Sequence, residues 1–204
     1  MRTLAIECAT EACSIALFEG ENLLASDHRV LGRGHAEHLV PMIAGLPGKG
    51  KADRIVVSLG PGSFTGVRIG IAVAGALSVA WKAEVAGYPT LSLVAAMALD
   101  GSDASKATVC MAGGHGEWFV QDFGARGVPA TSLASLTPPD ASARGAARLV
   151  AGSRAVELAA LLGEDRDARE FLPEAKAMPL VDPSLLTHAV VPIYGRGPDA
   201  RLPA

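Results

Sequence analysis

The order of the predicted secondary-structure elements is the strongest constraint on the fold. The first thirty residues contain three strand-like runs, TLAIECA, ACSIALFEG and ENLLASDHRV, separated by ATEA and by the polar tip EGEN. Connections this short allow only antiparallel hairpins, so the chain is predicted to begin with a three-stranded meander. Alternating helices and strands follow. The sequence therefore predicts an α/β protein with a mixed sheet and helices packed on it.

The segments that follow the meander alternate between helical and strand-like patterns. Apolar residues at helical spacing predict a helix from Gly34 to Leu46, and RIVVSLG is typical of a buried strand. A second helix is predicted from about Val67 to Lys82, and VAGYP gives a short strand. A third helix, TLSLVAAMAL, is expected to begin with Thr90 as its N-cap.

The polar segment DGSDAS, residues 100–105, predicts a linker because it is rich in turn-forming residues. It divides the chain into a first lobe, residues 1–102, and a smaller second lobe, residues 103–204. In the second lobe, KATVCMAGG and EWFVQDFGA predict a hairpin, RLVAG another strand and SRAVELAALLG a helix. The remainder is punctuated by prolines.

Charge and composition argue against several classes of protein. The net charge is −3, and the 18 Lys and Arg residues are scattered, so no basic face for direct nucleic-acid binding is predicted. Cys8, Cys13 and Cys110 lack metal-ligand spacing and are interpreted as core residues of a protein in a reducing compartment. The most apolar run, Ile69 to Trp81, is shorter than the ~20 residues of a spanning helix. We expect a cytoplasmic protein without a membrane segment.

The glycine loop SLGPGSFTGVRIG does not match the common phosphate-binding or catalytic loops. Gly66 is followed by Val67 and Arg68 instead of the Lys and Ser/Thr of a Walker loop. The glycine spacing differs from the dinucleotide fingerprint, and Ser63 lacks the flanking glycines of a nucleophile elbow. Two interpretations stay open: a tight turn that needs small residues for packing, or a helix start, capped by Ser63 or Thr65, that binds an anion weakly.

The helix after this loop carries small residues at regular spacing. Gly66, Gly70 and Ala74 form one strip at four-residue steps, and Ala72 and Ala76 form a second. Small residues spaced in this way allow a neighbouring helix to approach closely. Because the helix is apolar almost all round, we expect one side to face a sheet and the other a partner protein. The alternative is a fully internal helix covered by the third helix.

Polar residues near the first turn and on the first helix are the other candidates for chemistry. Glu7 and Glu11 flank the first turn, where a carboxylate can hold a metal-bound phosphate, but surface salt bridging is the favoured interpretation. His35 and His38 are three residues apart, yet no Asp or Cys cluster completes a metal site. The sequence therefore predicts no catalytic residue, no metal and no cofactor.

Three motifs in this order, LAIECATEACSIAL, GHAEHLVPMI and GPGSFTGVRIG, resemble the bacterial TsaB (YeaZ) family, and the tail VVPIYGRGPDA resembles its ending. The resemblance implies an actin/hexokinase-like (ASKHA, ribonuclease H-like) fold with two lobes, the second reduced. It also implies a non-catalytic subunit that pairs with the TsaD enzyme, together with the ATPase TsaE. The reaction implied is threonylcarbamoylation of adenosine 37 in tRNAs that read codons beginning with A, with tRNA contacted only through the complex.

The family resemblance, combined with the small-residue strip, predicts the surface that binds the partner. We expect a heterodimer, and a homodimer when the partner is absent. A small-molecule kinase or ATPase of the same fold is the alternative function. The predicted interface residues are His35, Leu39, Ile43, Gly66, Arg68, Ile69, Gly70, Val73, Ala74 and Leu77.

Overall fold

The first sheet is built from the predicted meander and two parallel strands. The structure, a computed structural model, describes residues 1–163 and 165–196. The first three strands are antiparallel neighbours, and the next two run parallel to the first strand, giving the order β3-β2-β1-β4-β5. The strands are β1 (Arg2–Glu7), β2 (Ala12–Glu19), β3 (Asn22–Val30), β4 (Arg54–Ser58) and β5 (Glu84–Tyr88).

Three helices pack against this sheet. They are α1 (His35–Gly45), α2 (Phe64–Trp81) and α3 (Thr90–Leu99). One face of the sheet meets α1 and α2 through a cluster that includes Leu4, Ile6, Leu39 and Ala74. Because strand side chains alternate between faces, the neighbouring residues of β1 point to the opposite side.

The third helix, α3, is buried on almost every side because it lies between the two sheets. Leu93 and Ala96 pack with residues of the first sheet, whereas Leu91 and Val94 pack with residues of the second. The prediction of Thr90 as its N-cap was wrong. The N-cap is Pro89 without a side-chain hydrogen bond, and the Thr90 backbone N–H donates to the Gly60 carbonyl instead.

The second sheet has the order β10-β9-β6-β7-β8. The predicted hairpin and strand are confirmed as β6 (Ala107–Gly114), β7 (Glu117–Phe123) and β9 (Leu149–Ala151), and the predicted helix as α5 (Ala155–Leu162). Three elements were not predicted because they are too short for a clear periodic pattern. They are β8 (Ala134–Leu136), α4 (Pro138–Arg144) and β10 (Asp167–Arg169).

The chain returns to the first sheet after it completes the second. The Ala175 N–H donates to the Ser14 hydroxyl at 3.0 Å, Thr187 forms a β-bridge with Gly87, and the Ile193 N–H donates to the Leu59 carbonyl at 2.7 Å. Residues 175–193 thus belong to the second predicted lobe in sequence but contact the first sheet. The lobe boundary at residue 102 stays a proposal. The end of the tail VVPIYGRGPDA, residues 197–200, lies outside the described residues.

Among the described residues, α2 is the one helix whose length and composition would suffice to cross a membrane. It has 18 residues and a mean hydropathy of 1.5, and 22% of it is buried. Such a helix is weak evidence of a membrane span, because core helices of other proteins meet the same criteria. In this fold one side of α2 is occupied by the first sheet.

Candidate partner-binding surface and interlobe cleft

The glycine loop brings the start of α2 against the turn between β1 and β2. A side chain at Gly62 would collide with the Ala9 carbonyl, and one at Gly66 would collide with the Cys8 carbonyl. The Ser63 N–H donates to the Ala9 carbonyl at 2.7 Å, and the Ser63 hydroxyl caps α2 by accepting from the Gly66 N–H at 3.2 Å. These contacts give the small residues of the loop a packing role and confirm Ser63 as a cap.

The first small-residue strip faces the protein's own sheet, so its assignment to a partner interface was wrong. An added Cβ at Gly70 would lie 3.4 Å from Val57 Cγ2 and 3.5 Å from Cys8 Cβ. Ala74 is fully buried in the same cluster, and Gly66 is buried against Cys8. The spacing of the strip was recognised from the sequence, but spacing alone does not say which neighbour the strip packs against.

The α1 residues predicted at the interface are also internal. Leu39 and Ile43 belong to the core between α1 and the sheet, where they are 0% and 3% exposed. His35 is buried, and its Nε2 lies 3.1 Å from the Ala12 carbonyl oxygen, within hydrogen-bonding distance. A direct contact of these three side chains with a partner is therefore incompatible with the structure.

The exposed side of α2 carries the second small-residue strip. Val79 is 82% exposed. Four of the predicted residues remain accessible at the margins of this side: Arg68 is exposed, and Ile69, Val73 and Leu77 are half-buried. We call the exposed apolar surface the outer face of α2 and define it by Ala72, Gly75, Ala76, Val79 and Ala80. The sequence signal for it was the Ala72 and Ala76 spacing.

Two aromatic rings hold Arg68 at the first turn of α2. The Arg68 guanidinium carbon lies 3.5 Å from the centre of the Phe64 ring and 5.6 Å from that of Tyr194. Arg68 Nη2 donates to the Tyr194 hydroxyl at 2.7 Å. Phe64 and Tyr194 are 57% and 52% exposed. The chain's C-terminal segment is thereby attached to the start of α2.

A cleft of about 950 Å³ lies beside this cluster, between the two sheets. Its lining includes the β1–β2 turn, the glycine loop, the β6–β7 turn and residues 193–196. Arg68, His115 and Arg196 bring basic side chains to its wall, and Glu11 brings a carboxylate. The described residues contain no group of three or more His, Cys, Asp or Glu side chains that could hold a metal ion.

Glu7 is a buried acid and not the predicted surface salt-bridging residue. It is 0% exposed, and its carboxyl accepts hydrogen bonds from the Ala9 N–H at 2.7 Å and the Tyr88 hydroxyl at 3.2 Å. Burial raises the pKa of Glu7 from its ordinary value of 4.5 to about 7, although these hydrogen bonds favour the ionised form. The prediction failed because the strand that ends in Glu7 lies at the centre of the sheet.

Two mixed sheets flanked by helices, with a cleft between them, define an actin/hexokinase-like (ASKHA) protein, as predicted. A model of the family described as "TsaD: tRNA N6-adenosine threonylcarbamoyltransferase" matches residues 28–137. The chain belongs to the TsaB (YeaZ) family within this class.

Three similar proteins illustrate this membership. The chain is 32% identical to the tRNA threonylcarbamoyladenosine biosynthesis protein TsaB of Escherichia coli, over 60% of this chain and 55% of that protein. The match thus spans about half the length of that relative. An uncharacterized protein of Mycobacterium tuberculosis is 31% identical over 97% of this chain and 93% of its own length. The structure of YeaZ from Pseudomonas aeruginosa is 26% identical, with a TM-score of 0.77, covering 95% of this chain and 99% of that one.

Proposed function

We propose that this protein is a non-catalytic subunit in the biosynthesis of threonylcarbamoyladenosine on tRNA. It pairs with a TsaD-like enzyme and acts with a TsaE-like ATPase in the cytoplasm. The modified base is adenosine 37 of tRNAs that read codons beginning with A. Family membership and the similarity to the E. coli threonylcarbamoyladenosine biosynthesis protein TsaB support this assignment.

The outer face of α2 is the observation that carries the proposal. It consists of small and apolar residues on an exposed helix side, and α1 has an exposed apolar side chain of its own, Val40, which is 50% exposed. Contiguous apolar surface of this kind commonly marks a protein interface. Ala72, Gly75 and Ala76 let another helix approach the α2 backbone closely.

The same face explains the proposed self-association. With no TsaD-like partner present, two copies cover the outer face by pairing, and the partner displaces one copy when it binds. The net charge of −3 gives the chain no general attraction for phosphate. We therefore assign tRNA contact to the assembled complex.

A single charged substitution on the outer face tests the proposal. Ala76→Arg places a guanidinium where apolar surfaces should meet, so it is expected to weaken association by at least ~10-fold, since a buried unpaired charge costs several kcal/mol. The measurement is analytical ultracentrifugation with and without the TsaD-like protein of the same organism, followed by tRNA threonylcarbamoylation in a reconstituted assay.

The matched control is Ala160→Arg, because Ala160 is also an exposed helical alanine but lies on α5. We expect this variant to bind and support modification like the unmodified protein. Undiminished binding by Ala76→Arg would place the partner on another face. If the unmodified protein binds no TsaD-like partner, the proposed function is wrong.

A further inference from the structure

Cys8 and Cys13 form a pair of free, fully buried thiols whose sulfurs lie 3.6 Å apart. Glu7 and Ser14 are the final residues in register between β1 and β2, and the two cysteines come next on either side of the turn. Residues that face each other across antiparallel strands have Cα atoms about 4.5 to 5.5 Å apart. This spacing is within the range that disulfides span.

We propose that Cys8 and Cys13 are a redox site that a hydroperoxide converts to a reversible intramolecular disulfide. In the first step the Cys13 thiolate attacks the peroxide, the O–O bond breaks, and a sulfenic acid forms while an alcohol, or water, leaves. In the second step Cys8 sulfur attacks the sulfenic sulfur, the S–S bond forms and water leaves. Two electrons pass from the sulfurs to the peroxide, and the two thiol protons end in the alcohol and the water.

The hydrogen bond between the thiols assigns their roles. The two sulfurs share one hydrogen bond in which either thiol can donate, and this bond lowers the pKa of Cys13 and raises that of Cys8. The thiolate form attacks peroxides, so Cys13 is the attacking residue and Cys8 the resolving one. Burial raises the pKa of Cys110 to about 12, which makes that thiol a poor nucleophile and a useful internal comparison.

The cysteines themselves do not line the interlobe cleft, but the turn between them does. Ala9, Thr10 and Glu11, which form part of the turn between the two cysteines, line the cleft of about 950 Å³. Hydrogen bonds from the Ala9 N–H to Glu7 and from the Ser63 N–H to the Ala9 carbonyl hold this turn in place, each at 2.7 Å. A small hydroperoxide in the cleft reaches the sulfurs when these bonds open, so opening of the turn sets the rate of oxidation.

Oxidation should be transmitted to α2. A disulfide bond is about 2 Å long, so the sulfurs must move about 1.5 Å closer than their present separation. Gly66 rests on the Cys8 carbonyl, and an added Cβ at Gly70 would lie 3.5 Å from Cys8 Cβ. A shift of Cys8 therefore changes the surface that supports the first half of α2. This chemistry does not depend on the proposed partner.

The experiment counts alkylatable thiols in the full chain before and after oxidation. The reduced protein is treated with hydrogen peroxide, denatured, alkylated with iodoacetamide and weighed by mass spectrometry. We expect all three cysteines to be alkylated before treatment and Cys110 alone afterwards. Before alkylation, the oxidised protein should be lighter than the reduced protein by two hydrogens. Dithiothreitol should restore the alkylation of Cys8 and Cys13. Cys110→Ser should retain the disulfide, whereas Cys13→Ala should lose it.

Other outcomes would overturn the proposal. If Cys8 and Cys13 resist peroxide as well as Cys110 does, the pair is an inert part of the core. If they are oxidised only to sulfinic acids or intermolecular disulfides, they do not form the proposed intramolecular disulfide. Amide hydrogen exchange tests the transmission: protection in residues 64–74 should change on oxidation, while α5 should keep its protection. A disulfide that leaves α2 exchange unaltered would refute transmission to α2. Neither measurement uses partner binding, so each can fail without bearing on the proposed function.

Discussion

The phenolic hydroxyl of Tyr88 donates a hydrogen bond to Glu7 Oε2 at 3.2 Å in the interior of the first lobe. Tyr88, at the end of β5, and Glu7, at the end of β1, are both fully buried. The Glu7 carboxyl, with a pKa of about 7, is protonated at mildly acidic pH and becomes a buried charge at alkaline pH. A structural role inside the sheet thus makes Glu7 sensitive to pH.

The first prediction concerns stability as a function of pH. The pKa of Glu7 is about 7 in the folded protein and about 4.5 in the unfolded chain. The stability that protonated Glu7 provides is therefore fully present below pH 4.5 and is lost as the pH rises through about 7. The difference amounts to roughly 3 kcal/mol. Glu7→Gln should remove this component, so urea unfolding should show the variant gaining stability relative to the unmodified protein as pH increases from 5 to 8.

The control is Glu11→Gln, which changes an exposed carboxylate on the same turn. It should follow the pH dependence of the unmodified protein. If Glu7→Gln also follows that dependence, the Glu7 carboxyl is not the titrating group.

The second prediction separates the two strips on α2. Ala74→Arg forces a charge into the fully buried cluster beneath α2 and should cost on the order of 4 kcal/mol of folding stability. Ala76→Arg, only two residues away but exposed, should change the folding stability of the single subunit by less than about 0.5 kcal/mol, measured at a concentration where copies do not pair. Thermal unfolding followed by circular dichroism measures both. Equal stability of the two variants would contradict the orientation of α2.

The third prediction concerns the glycines of α2. Gly66→Ala adds a Cβ that meets the Cys8 backbone carbonyl, which cannot rotate away as a side chain can, so we expect a loss of about 1 to 3 kcal/mol. Gly75→Ala is the matched control because an added Cβ has no atom within 4 Å. That change should stabilise the helix by roughly 0.5 to 1 kcal/mol. Urea titration of both variants checks the pair.

The fourth prediction addresses the kinase or ATPase alternative. The glycine loop lacks the Lys and Ser/Thr of a Walker loop, and its glycines pack against the β1–β2 turn, so we expect no stabilisation by Mg-ATP. A site filled at 100 times its dissociation constant would add about 2.7 kcal/mol, which a thermal shift assay detects readily. Such a shift, together with ATP hydrolysis by the isolated chain, would favour the alternative.

The sequence by itself determined the elements whose signals are local. The hairpins were predicted from connection lengths, and the helices from apolar spacing, because both depend on neighbouring residues. The motifs GHAEHLVPMI and GPGSFTGVRIG carried the family resemblance and with it the fold. Ser63 was identified as a possible cap from its position before the apolar run.

Only the tertiary structure decided which way each residue faces. Gly70 and Ala74 were recognised as a small-residue strip, but the same steric rule lets a helix approach a sheet or another protein. Glu7 was predicted to form a salt bridge at the surface, yet it is buried and accepts a hydrogen bond from Tyr88, 81 residues away in the chain. Such orientations arise from contacts between distant segments, and no local pattern in the sequence records which segments will meet.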